Sequence, residues 1–122
     1  MGSNVQRVMN MTRQTDLAVQ CELARSFWAR GMGLMGRPRL DAGEGLLIAP
    51  EWSIHTFFMR FAIDVLFLDT QNRVLALRVA MPPFRPYAGA WGAAAVLELP
   101  AGVIAATGTQ VGDTVGFDPP LG

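Results

Sequence analysis

The chain has 122 residues and a mass of 13.2 kDa, the size of one domain around one core, with roughly two thirds of its unfolded surface buried on folding. Hydrophobic residues make up 51% and charged residues 16%, which excludes the disordered class, whose signature is low hydrophobicity with high net charge. Ten basic residues balance ten acidic ones and the closest basic pair is Arg37 and Arg39, so no cationic stripe follows a phosphate backbone and no nucleic-acid partner is expected.

Residues 1–15 are read as an N-terminal extension, and Met1-Gly2-Ser3 has the character of an expression scar. The first residues lack the apolar core of a signal peptide. The compartment therefore stays open between the cytoplasm and export with a leader removed. Over residues 16–23, Leu17, Val19, Cys21 and Leu23 alternate with Ala18, Gln20 and Glu22, a period of two that predicts a half-buried strand. Cys21 is the single cysteine, which excludes an intrachain disulfide and a multi-thiolate metal site and leaves it as a small buried apolar residue. The period then changes, and residues 23–34 read as a short helix closed by Gly31, Gly33, Gly36 and Pro38. Residues 39–44 read as a loop.

Residues 45–49 form an apolar run stopped by Pro50 and predict a buried strand, with two more strands over 53–58 and 63–68. Asp69-Thr70-Gln71-Asn72 has turn chemistry, so 63–80 predicts a hairpin. Residues 81–92 carry three prolines with Phe84, Tyr87 and Trp91, a composition that forbids a strand ladder and places aromatics on a loop. A strand over 94–99 stopped by Pro100, a helical turn over 101–107 ended by Gly108, and a last strand over 114–117 complete the domain, assigned to residues 16–118 with a tail at 119–122. No apolar run reaches the roughly 18 residues of a membrane span, because Arg, Asp, Glu or Pro cuts each one.

Many short strands with one or two short helices predict an α+β, mostly β fold: a compact antiparallel sheet that curls or partly closes as a barrel. A parallel βαβ architecture is disfavoured, because most connections are too short for a crossover helix.

The segment 55–65 threads the only histidine, His55, with Arg60 and Asp64 through Phe, Met, Ile and Val. Charge inside an apolar run costs several kcal/mol unless paired or hydrogen-bonded, so the segment implies an internal ion network or a polar site at the edge of the core. Strand parity puts Asp64 on one face with Leu66 and Leu68, where it pairs with Arg60 or Arg37, caps a backbone amide, or serves a site. His55 reads either as a histidine bonded to a backbone carbonyl or as a catalytic base. Glu98 lies on the face opposite Leu97 and Leu99, where solvent or a cross-strand arginine such as Arg78 is expected to receive it. Zinc would require His55 to combine with Asp64, Glu44 or Glu98 at spacings that do not resemble a zinc site, so no metal and no cofactor are expected. No Gly-x-Ser-x-Gly elbow and no phosphate loop is present.

Gly33-Leu34-Met35-Gly36-Arg37, Gly45-Leu46-Leu47, the run from Ile54 through His55 and Asp64 to Asp69, Val96-Leu97-Glu98-Leu99-Pro100-Ala101-Gly102 and Val111-Gly112-Asp113 occur in order. Together they resemble domain of unknown function 192, over about residues 16–117. The resemblance implies a small single β-rich domain and no established activity. The chain resembles a variant form with His55-Thr56 before the phenylalanines, in which Phe58, Arg60, Phe61 and Ala62 stand where many members carry Trp, Lys, Asn and Thr.

Two functional classes follow. In the first, favoured, the protein is a non-catalytic binding or accessory domain in which Arg37, His55, Arg60 and Asp64 line a polar cleft, Phe84, Tyr87 and Trp91 form its rim, and a small polar or carbohydrate-like ligand is the partner. In the second, it is a small hydrolytic or transfer enzyme using His55 and Asp64 as an acid-base pair. A third reading confines the polar cluster to fixing the fold of a structural or protein-interaction domain. Oligomeric state is open.

Overall fold

The structure is a computed structural model that describes residues 5–121; Met1-Gly2-Ser3, read above as a scar, lies outside the described residues. Nine strands and two short helices occur among these in the order β1 (Val5–Asn10), β2 (Thr15–Ala24), α1 (Phe27–Met32), β3 (Glu44–Ile48), β4 (Ser53–Ile54), β5 (Ile63–Leu68), β6 (Val74–Met81), β7 (Ala88–Gly89), β8 (Ala95–Pro100), α2 (Val103–Thr107) and β9 (Val115–Asp118). The mostly β class stands, with seven strands in one curled half-barrel sheet and β4 and β7 in a small second sheet.

The large sheet runs β6-β5-β8-β3-β2-β1-β9. Its two edges meet at one end, where Val74 N–H donates to Asp113 O at 2.9 Å and Val115 N–H to Asn72 O at 2.8 Å, so the curl nearly closes there. Hydrogen bonding between the ends of the two edge strands, β6 and β9, removes part of the exposed edge that an open sheet leaves. Every pair in the large sheet is antiparallel except β2 and β3, which run parallel from Gln20↔Glu44 to Ala24↔Ile48. The segment between them is long enough to carry α1 as a crossover, so the disfavoured βαβ arrangement occurs once.

Several local readings change, among them the 81–92 loop, within which Ala88–Gly89 does form a short ladder with Ser53–Ile54 because the three prolines all precede it. The described part of the expected extension, residues 5–15, is not separate from the domain: β1 lies between β2 and β9 in the sheet. Pairing at both of its edges satisfies its backbone groups, which an extension would leave to water. The tail is also tied down, for Gln6 Nε2 donates to Pro119 O at 3.1 Å and Leu121 packs on the core. The expected strand over 53–58 is regular only at Ser53–Ile54. Thr56 ends it because its backbone and hydroxyl are bonded to the 82–85 loop instead of a ladder: Thr56 N–H donates to Arg85 O, Phe84 N–H to Thr56 O, Thr56 Oγ1 to Pro82 O and Arg85 N–H to Thr56 Oγ1.

α1 begins at Ser26, whose Oγ accepts from Ala29 N–H at 3.0 Å, and ends at Gly33, which adopts φ +50. It starts later than the expected residue 23 because β2 continues to Ala24 as the partner of Ile48.

The core has two layers. Leu17, Cys21, Leu47, Leu66, Leu97, Leu99 and Ile104 fill the inside of the curl, capped by α2. Leu34, Leu46, Ile48, Met59, Val65, Phe67 and Val96 pack on the outer face, beneath the α1 segment and the loops around β4 and β7. Strand β5 is therefore buried at every position, as is β8 from Ala95 to Leu99. Cys21 sits in the inner layer, where burial pushes its thiol up to about 12, opposed in part by a backbone hydrogen bond from Leu47. No helix of the described residues is long and apolar enough to cross a membrane.

Candidate functional site

The outer layer leaves a cleft of about 250 Å³ between the α1 exit, the loop after β4 and the loop before β7, with Glu98 of β8 in its lining. α1 and its glycine-rich exit contribute Arg30, Gly31 and Gly33, and the two loops contribute His55, Met59 and Tyr87. Gly33 lets the helix turn back over the sheet, and a Cβ built on it would lie 3.8 Å from Glu98 Oε1.

Glu98 is the least expected feature of this site. Period two does place it opposite Leu97 and Leu99, on the face of Val96, but that face is roofed by the outer layer rather than open to water. The residue is 2% exposed and its Oε1 has no hydrogen-bond partner among the described residues. Neither solvent nor Arg78 receives it: Glu98 pairs with Leu46 on one side and Val65 on the other, and Arg78 lies one strand further on, opposite Val65. The Arg78 guanidinium instead stands over the Phe67 ring at 5.9 Å. Burial pushes the Glu98 carboxyl up to about 8, against an opposing pull from the Arg37 cation. At neutral pH Glu98 is thus mainly a neutral acid, able to donate a hydrogen bond and to accept one.

Three other polar groups border the cleft. Arg30 Nε is buried without a partner. His55 is exposed, and its Nδ1 accepts from Phe57 N–H at 3.2 Å, which in the neutral ring leaves the proton on Nε2 as a free donor. Glu51 Oε1 accepts from Trp52 N–H at 3.1 Å. Tyr87 stands edge-on to Trp52 with ring centroids 6.1 Å apart, and Trp52 is likewise edge-on to Trp91 at 6.3 Å.

The residues singled out from sequence divide. His55 and Tyr87 line the cleft with Glu98, whereas Arg37, Arg60, Asp64, Phe84 and Trp91 do not. Asp64 is wholly buried and accepts from three backbone amides: Ala80 at 2.8 Å on Oδ1, and Gly102 at 3.1 Å and Ile104 at 2.8 Å on Oδ2. It ties β5 to the end of β6 and to the first turn of α2. Arg37 pairs with Glu22 at 2.8 Å, and Trp91 is 93% exposed. Arg60 is exposed and makes no ion pair among the described residues. Neither Arg30 nor Glu98 stands out as a site residue from spacing alone. The signal for Glu98 was its place inside an apolar strand, but recognising it needed the roof.

A second polar centre fastens the nearly closed end of the barrel. Asp113 accepts from Asn10 Nδ2 at 2.9 Å, from Arg13 Nε at 2.8 Å and from Gln110 N–H at 3.0 Å. Burial pushes its carboxyl up, but the hydrogen bonds from Arg13, Asn10 and Gln110 outweigh it and hold the group at about 2. Among the described residues, no three His, Cys, Asp or Glu side chains gather closely enough to hold a metal ion.

Fold and cleft define a small half-barrel domain with a buried acid beneath its outer layer. The chain belongs to the DUF192 family, described as an uncharacterised ACR, whose model matches residues 8–117 and so takes in part of β1. A UPF0127 protein of Pyrococcus furiosus is 34% identical over 112 residues, covering 87% of this chain and 93% of that protein. One of Thermococcus sibiricus is 32% identical over 115 residues, covering 91% and 74%. Among solved structures, a protein of unknown function from Novosphingobium aromaticivorans superposes with a TM-score of 0.79 at 26% identity, covering 91% of this chain and 82% of that one. A putative transcription regulator from Sinorhizobium meliloti superposes at 0.82 with 23% identity, covering 97% and 98%, and shows the shared fold.

Proposed function

We propose that the protein is a non-catalytic binding module whose cleft takes a small polar, carbohydrate-like ligand against Glu98. The observation that carries this reading is the Glu98 carboxyl, buried with Oε1 unpartnered in the lining of a cleft. Buried polar atoms are hydrogen-bonded as a rule, and one left without a partner costs about 1–3 kcal/mol, so a ligand that satisfies it gains affinity from that relief. Arg30 Nε is a second unmet buried group in the same lining. A sugar hydroxyl both donates and accepts, which suits an acid and a guanidinium together, while the Tyr87 ring offers an apolar wall. A volume of about 250 Å³ falls below the ~300–1,000 Å³ of pockets for drug-sized molecules, which favours a small ligand. An acid-base pair of His55 and Asp64 has less support, because both Asp64 oxygens hold backbone amides.

The test is amide chemical-shift mapping with xylose, glucose and glycerol as probes. The expected result is movement of the Gly31, Gly33 and Ser53 signals by at least one sugar. Glu98→Gln should keep that response and Glu98→Leu should lose it. Sugars that leave these amides unmoved, or that move them equally in Glu98→Leu, would overturn the reading.

A further inference from the structure

The loops that wall the cleft carry a feature that ligand binding does not use. Phe58 and Phe84 both adopt φ +62, the left-handed backbone that favours glycine and that bulky side chains avoid. Each sits in a turn, and the Phe58 turn is closed by Met59 N–H on Thr56 O at 3.2 Å. Neither ring gains burial in return: Phe58 is 69% exposed, Phe84 60% and neighbouring Phe57 38%. Backbone strain survives only where the surrounding structure imposes it, and here Thr56 imposes it on both turns through its bonds to Pro82, Phe84 and Arg85. The rings form one cluster, with centroids 6.5 Å apart for Phe57 and Phe58 and 6.4 Å for Phe58 and Phe84.

The loops that carry these rings hold basic residues and no acidic one. No acidic residue occurs between Glu51 and Asp64 or between Asp69 and Glu98. Those stretches hold Arg60, Arg73, Arg78 and Arg85; Arg73 pairs with Asp69 at 3.3 Å, and the other three are exposed with no ion pair among the described residues. Phenylalanines projecting from two turn tips, flanked by unpaired arginines, match the interface of an anionic bilayer, where aromatic rings enter the acyl boundary and arginines meet lipid phosphates.

We propose that the Phe57-Phe58-Phe84 cluster with Arg60 and Arg85 is a docking surface for an anionic phospholipid bilayer. His55, Met59 and Tyr87 belong to the same two loops and line the cleft, so docking would hold the cleft at the membrane surface. The partner requires no groove, because the rings enter the lipid rather than receive a side chain.

The test is flotation of the full chain with phosphatidylcholine vesicles, with and without about 30 mol% phosphatidylglycerol, at low and high salt. Wild type should float with the anionic vesicles, and high salt should release it. The double variant Phe58→Gly, Phe84→Gly should lose at least about tenfold in partitioning while unfolding at the same temperature as wild type or higher, since glycine relieves both strained turns. The double variant Arg60→Glu, Arg85→Glu should lose the preference for phosphatidylglycerol. Absence of wild-type flotation, equal flotation with neutral vesicles, or unchanged flotation of the glycine variant overturns the proposal. Sedimentation showing a wild-type dimer that the glycine variant abolishes would assign the cluster to a second copy of this chain instead.

Discussion

Replacing Glu98 by Gln tests the buried acid most directly. The substitution keeps the shape of the side chain and removes its ionisation. Burial holds the wild-type carboxyl at about 8 in the folded protein, against 4.5 for the ordinary group. Below pH 4.5 the folded and unfolded chains are both protonated, and the neutral acid contributes its full stability. Between 4.5 and about 8 the unfolded chain releases the proton while the folded one retains it, so stability falls by about 1.4 kcal/mol per pH unit. Above about 8 the loss is complete, with an upper figure of roughly 5 kcal/mol for this span of about 3.5 units. Urea unfolding followed by tryptophan fluorescence from pH 5 to 9 measures this. Glu98→Gln should show a much flatter curve and exceed wild type by about 3 kcal/mol or more at pH 8.5. Other titrating groups are common to both proteins and cancel in the difference. Parallel curves for the two proteins would refute both the raised carboxyl and its burial beneath the outer layer.

Asp64→Ala should cost about 3 kcal/mol or more by urea unfolding, because three backbone amides lose a charged acceptor, and a loss below about 1 kcal/mol would contradict that role. Asp113, held at about 2, contributes stability that is present above its ordinary 3.8 and lost as pH falls towards 2; Arg13→Ala should shift the acid-unfolding midpoint, followed by circular dichroism, to higher pH. Gly45→Ala should cost about 1–3 kcal/mol in thermal or urea unfolding, since its Cβ would meet Ala18 Cβ and Leu99 Cδ2 at 3.2 Å and Glu98 O at 3.3 Å between packed strands.

Several strands are legible in the residues alone. Alternation around Leu17, Cys21 and Leu23 marks β2, although Val19 of the same alternation is 54% exposed and Ala18 is buried instead, and the Asp69 turn between apolar runs marks the β5 and β6 hairpin. The same period put Asp64 on the inner face with Leu66 and named a backbone amide among its partners. Those are local properties, carried by spacing and turn chemistry. That β1 joins the sheet, that β2 and β3 run parallel, and that the outer face of β8 is covered are properties of the assembled fold. Each depends on segments distant in the chain packing against one another, and local periodicity does not encode which segments those are. Glu98 shows the difference most clearly: its face was legible from Leu97 and Leu99, but the buried, unpartnered carboxyl exists because the α1 exit and the loops bearing His55 and Tyr87 converge over it.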